Sequence, residues 1–207
     1  MTGLVGVGGA SMERERLTAF TDGVLAIIIT IMVLELRPPH GASFADLAAL
    51  TPVFLSYVLS FIYIGIYWNN HHHFFQLVRQ VDGAILWANL HLLFWLSMVP
   101  FTTAWMGENH FAPAPTALYG GSLLMAAVAW WLMQSVIFRK QGSHSVLREA
   151  LGRDLKSKIS PVIYVAGIAL AFVWAPGAAA AYLAVALMWL VPDTRVEKHI
   201  VAHNAER

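Results

Sequence analysis

Long apolar runs broken by short polar stretches set the pattern of this chain. A helix needs about 20 mainly apolar residues to cross a hydrocarbon core of about 30 Å. Six segments are candidates: 17–36, 47–68, 84–106, 116–138, 159–174 and 178–192. The last two come from a stretch, 159–192, without Asp, Glu, Lys or Arg, which Pro176-Gly177 divides into two short helices. A single kinked span there is the alternative, because proline and glycine are tolerated inside membrane helices. The 141–158 segment repeats Leu147, Leu151 and Leu155 among Arg148, Glu149, Arg153 and Lys156, the pattern of a short amphipathic helix at an interface. The pattern therefore predicts an all-α integral membrane protein, a single domain over residues 1–207 with six transmembrane helices.

Composition agrees. Hydrophobic residues make up 58% of the 207 and charged residues 12%, against about 25% charged in ordinary soluble domains. Mean hydropathy is +0.61. The net charge of +1 is too balanced for nucleic-acid binding by bulk electrostatics. No cysteine is present, which removes disulfide scaffolds, thiol catalysis and cysteine metal sites. With six spans and a cytoplasmic N-terminus, 12 of the 13 basic residues fall on the inner side and only Arg37 outside. Basic residues favour cytoplasmic loops, so both termini are expected to be cytoplasmic. Residues 1–12 lack the basic start of a signal peptide, so no cleavage is expected.

The first span is unusual. Twelve uncharged residues separate Asp22 from Glu35, about 18 Å of helix, which is less than the core thickness. At least one carboxylate is expected at membrane depth, where an ionisable group marks a functional site by default; a cap or anchor at the interface is the plainer alternative. At about 100° per residue, Gly23, Ile27, Thr30, Ile31 and Leu34 share one stripe. Such a stripe either packs on neighbouring helices or forms part of a pore wall, and one stripe encloses a pore only when several subunits contribute copies.

The run Arg16-Leu17-Thr18-Ala19-Phe20-Thr21-Asp22 resembles the R-x-x-x-F-S-D signature of the endosomal and lysosomal potassium channel family, transmembrane protein 175 type, in its prokaryotic branch with one six-helix unit per chain. The following GVLAIIITIMVLELRPP resembles that family's first helix. Trp68-Asn69-Asn70-His71-His72 resembles its W-x-N-H-H element, and Asn89, Leu92, Leu93, Pro100 and Phe101 resemble its third helix. The likeness covers about residues 13–106. Thr21 stands where the family usually has serine, which keeps the hydroxyl.

The resemblance implies a homotetramer in a cell membrane, with four copies of the first helix around a pore for potassium and no cofactor. Its narrow layers would fall on Ile27, Thr30, Ile31 and Leu34. An apolar ring makes an ion shed water, which costs sodium more than potassium, so moderate selectivity is expected, with Thr30 supplying the finer discrimination and Ile27 serving as a dewetting gate. Arg16 and Asp22 lie about 240° apart on one helix, so Asp22 is expected to find partners on other spans, with Trp68, Asn70 and His71 the candidates in a buried network that orients the first helix.

His71-His72-His73 does not give metal spacing, since adjacent helical residues diverge while ligands sharing a face sit three or four apart; no metal is expected. Trp68, Trp87, Trp105 and Trp174, near predicted span ends, fit an aromatic belt. A secondary transporter or proton-coupled carrier is the runner-up; it would show several midplane ionisable residues, whereas spans two to six offer only His91. An enzyme is disfavoured because neither G-x-S-x-G nor H-E-x-x-H occurs.

Overall fold

The structure, a computed structural model, describes residues 4–141 and 155–190. Every regular element among them is helical: α1 (Leu4–Leu34), α2 (Phe44–Ala48), α3 (Thr51–Gln76), α4 (Gly83–Ser97), α5 (Val99–Glu108), α6 (Pro113–Gln141), α7 (Leu155–Ala171) and α8 (Ala175–Leu190). Among the described residues, four helical stretches are long and apolar enough to cross a membrane: Met12–Leu34, Thr51–Gln76, Gly83–Glu108 and Pro113–Gln141. The α7–α8 pair is shorter, 17 and 16 residues, or about 24–26 Å.

The helix ends depart from the apolar runs for identifiable reasons. The first span, expected at 17–36, is a helix of 31 residues, about 46 Å long, which starts well before the apolar stretch and stops at Leu34. Hydropathy marks where lipid would lie, while hydrogen bonding continues through Glu13–Arg16. The second run, expected from residue 47, is split. Ser43 and Asp46 close a capping box on α2, Ser43 Oγ accepting from the Asp46 amide at 3.3 Å and Asp46 Oδ2 from the Ser43 amide at 3.0 Å. α3 then opens with Pro52 in its first turn. The third run is two helices meeting at Met98, because Pro100 offers no amide to the carbonyl four residues back. The expected break at Pro176-Gly177 lies instead at 172–174; Pro176 sits in the first turn of α8, where a missing amide costs no hydrogen bond. The proposed amphipathic segment falls mostly on 142–154, outside the described residues, as do 191–207.

Helix α1 packs against α3, α4 and α5; α6 packs against α4, α5, α7 and α8. One apolar cluster joins Leu25, Ile28 and Met32 of α1 to Leu92, Leu96 and the aromatic end of α3, Phe74 and Phe75. The other is rich in tyrosine and joins α3, α6, α7 and α8. Several hydroxyls in and around it bond internally, as suits a lipid-embedded bundle. The Ser60 and Thr103 hydroxyls lie 2.6 Å apart, Ser60 donates to Tyr119 OH at 3.0 Å, and Tyr63 OH donates to the Tyr182 carbonyl at 2.6 Å. Tyr182 reaches the Thr116 carbonyl at 3.2 Å, with its ring lying where a Cβ on Gly120 or Gly167 would stand.

Candidate functional site

The two sides of α1 have opposite surroundings. Leu17, Thr21, Leu25, Ile28 and Met32 recur at helical spacing and are all buried against the bundle. The stripe picked out by periodicity lies on the other side. Ile27 is 58% exposed, Ile31 42% and Leu34 78%. Thr30 is exposed, and an added Cβ on Gly23 would meet no atom within 4 Å. Large apolar side chains are also exposed on other helices, such as Phe54, Phe61, Trp87 and Phe94. The α1 stripe carries the Thr30 hydroxyl and the open Gly23, while Gly65 of α3 and Gly121 of α6 are equally open. Thr30 Oγ1 donates to the Ile27 carbonyl at 2.8 Å, so its outward side presents lone pairs, a partial stand-in for water around a cation.

The buried face carries a polar anchor. Asn89 of α4 donates from Nδ2 to Thr21 Oγ1 at 2.9 Å, and its Oδ1 lies 3.0 Å from His71 Nε2. Because Nδ2 already serves as donor, the amide orientation puts the proton on His71 Nε2. Thr21, His71 and Asn89 are each buried, and the imidazole stacks on Phe75 at 4.3 Å. Three helices are thus pinned by one amide.

This arrangement differs from the expected network. Of Trp68, Asn70 and His71, only His71 joins it, and it reaches Thr21 through Asn89 rather than Asp22. Asn70 turns back on its own helix, donating to the Ile66 carbonyl at 2.8 Å. Trp68 is largely exposed and stacks on His72. Asp22 is half-buried, and its Oδ1 has no hydrogen-bond partner among the described residues. Arg16 and Phe20 are exposed, so neither belongs to the buried network within one subunit. Asn89 is the hub that sequence reasoning left out of the site; its signal was a lone amide inside an apolar span. Also unforeseen, Arg14 ties the N-terminal part of α1 to the loop after α3 by donating to the Val78 carbonyl at 3.2 Å.

The consecutive histidines meet separate neighbours. His71 faces Asn89, while His72 Nε2 lies 2.9 Å from Gln76 Nε2. His91, the ionisable residue within α4, accepts from Trp95 Nε1 at 3.0 Å.

A bundle of several membrane-length apolar helices, each with a face left uncovered, defines a multi-pass membrane protein. Residues 16–100 match the family described as endosomal/lysosomal potassium channel TMEM175. A potassium channel of Chryseobacterium sp. (strain P1-3) is 55% identical over 189 residues, 91% of this chain and 98% of that protein. The crystal structure of a lysosomal potassium-selective channel TMEM175 homolog from Chamaesiphon minutus superposes with a TM-score of 0.74 at 27% identity, covering 87% of this chain and 97% of that one. More distantly, the endosomal/lysosomal proton channel TMEM175 of mouse is 30% identical over 118 residues, 51% of this chain and 23% of that one. The chain belongs to the TMEM175 family, a family of channels rather than enzymes, and is a multi-pass membrane protein.

Proposed function

We propose that this protein is a passive, potassium-permeable channel of a prokaryotic cell membrane, built as a homotetramer with four copies of α1 around the pore. Six spans per subunit place both termini in the cytoplasm, α7 and α8 forming the fifth and sixth. Ile27, Ile31 and Leu34 supply the apolar constriction and Thr30 the hydroxyl layer within it. The observation that carries this reading is the division of α1 into a buried face, anchored through Thr21, and an open stripe on which those four side chains stand.

The chemistry follows from the stripe. Helical carbonyls are already hydrogen-bonded, so no carbonyl cage is available to replace an ion's water. An ion passing the Ile27 layer sheds part of its shell, which disfavours the more tightly hydrated sodium. Thr30 lone pairs return some coordination one turn further on. Discrimination by partial dehydration is moderate, and an apolar ring also closes by dewetting. Ile27 serves as that gate. No cofactor takes part.

A proton-conducting reading draws on the name of the mouse relative. Proteoliposomes loaded with potassium separate the readings. The channel reading predicts dissipation of a potassium gradient with a proton ionophore present as charge balance. No loss of potassium with the ionophore present, or loss only when a second solute is supplied, would reject it for a proton channel or a coupled carrier.

A further inference from the structure

The open face of α1 does not begin at Gly23. Phe20 is 55% exposed, and it stands seven residues before Ile27 and eleven before Ile31. Those spacings return to within about 20° of the same side of an α-helix. Its chain neighbour Thr21 is buried and held by Asn89, which fixes the rotation of the helix at this level. If Ile27 and Ile31 face a pore axis, Phe20 faces it too, about 10 Å nearer the N-terminal end. Between Phe20 and Ile27 the same face carries Gly23, where no atom lies within 4 Å of an added Cβ. Two bulky apolar positions thus bracket a position with no side chain. Further toward the N-terminus, the face presents exposed Glu13 and Arg16, whose formal charges cancel.

We propose that Phe20 is a further pore-lining residue: four Phe20 rings close the cytoplasmic side of a vestibule at Gly23, which holds a hydrated potassium ion before it loses water at Ile27. This rests on the channel reading above and deepens it. The missing side chains at Gly23 leave room for the ion's water. The aromatic faces attract a weakly hydrated cation while barring larger solutes. The ion then meets its dehydration step with only a short travel, about 6 Å along the axis from Gly23 to Ile27.

The absence of cysteine makes the test direct. Gly23→Cys is introduced in the full-length tetramer, and current is recorded in excised patches while a cationic methanethiosulfonate is applied from the cytoplasmic side. The rate of current loss should rise at least tenfold when Phe20→Ala is added, and fall below the Gly23→Cys rate when Phe20→Trp is added. Equal rates in all three backgrounds would overturn the proposal. Where Phe20→Ala fails to assemble, Phe20→Leu takes its place, with the same order of rates expected and the same equality refuting it. Leu34→Cys, modified from the opposite side, tests the parent reading separately. If current falls at both cysteines without regard to residue 20, the Phe20 layer is wrong and the α1 pore stands. If neither cysteine alters current on modification, both are wrong.

Discussion

Asn89→Leu is the sharpest test of how the structure holds α1 in place. Leucine keeps the branched shape of asparagine but removes the amide that joins Thr21 at 2.9 Å and His71 at 3.0 Å. The His71 imidazole is 1% exposed, so its Nε2 proton has no route to water. Hydrogen bonds inside membrane bundles average about 0.6 kcal/mol each, which sets a floor of about 1 kcal/mol for the pair. A stranded buried donor costs about 1–3 kcal/mol and sets the upper end. The expected loss is therefore about 1–3 kcal/mol, or about 5- to 150-fold in the folding equilibrium. Reversible unfolding in mixed SDS and mild-detergent micelles, followed by tryptophan fluorescence, measures it. The same argument predicts that the triple variant Thr21→Val, His71→Phe, Asn89→Leu recovers most of the loss, because no polar group is then stranded. A single variant within 0.3 kcal/mol of wild type, or a triple variant worse than the single, would refute the anchor.

Other perturbations bear on the rest of the account. Gly120→Ala drives a Cβ into the Tyr182 hydroxyl and breaks its 3.2 Å bond to the Thr116 carbonyl; overpacking of this kind costs about 1–3 kcal/mol and should show in the same unfolding assay. Asp82 caps α4 through the Ile85 amide at 3.1 Å and pairs with Lys140 at 2.5 Å. The Lys140 hydrogen bond, and then the Ile85 amide, hold its carboxyl below the ordinary range. A depressed folded value means the contribution is complete above the unfolded value, about 3.9, and lost as pH falls through the lower folded one. Unfolding between pH 6 and 3 should therefore be less acid-sensitive in Asp82→Asn than in wild type, and identical curves would discard the pair's role. Asp22→Ala should lower the yield of tetramer or the fraction of open channels more than it shifts the reversal potential; normal assembly with normal currents would show that this carboxylate, whose Oδ1 has no partner among the described residues, has no structural role.

Much of the fold was legible because lipid imposes a strong pattern. The apolar runs located α1, α3, the α4–α5 pair and α6, since each must satisfy its backbone internally and present apolar side chains outward. The same signal misplaced ends, as hydropathy does not register caps or breaks: Ser43 caps a short helix that begins ahead of the second run, and Pro100 divides the third run, which composition left whole. The face of α1 was also legible, because 3.6-residue periodicity separates Ile27 and Leu34 from Leu25 and Ile28 whatever the partners are. The anchor was not. Sequence placed Trp68, Asn70 and His71 on one short stretch but could not tell that helical rotation turns only His71 toward α4. Nor could it show that Phe20 leaves the buried network and joins the open stripe, because that depends on which way Thr21 is held.

The central claim is that ions pass along the open face of α1. Reversal potentials of the reconstituted protein under opposed potassium and sodium gradients test it most directly, with Ile27→Ala, Thr30→Ala and Leu34→Ala beside wild type. The account predicts a potassium-favouring potential in wild type, a several-fold loss of discrimination in Thr30→Ala, and larger currents in Ile27→Ala as the apolar ring widens. Permeability and selectivity unchanged in all three variants would contradict it.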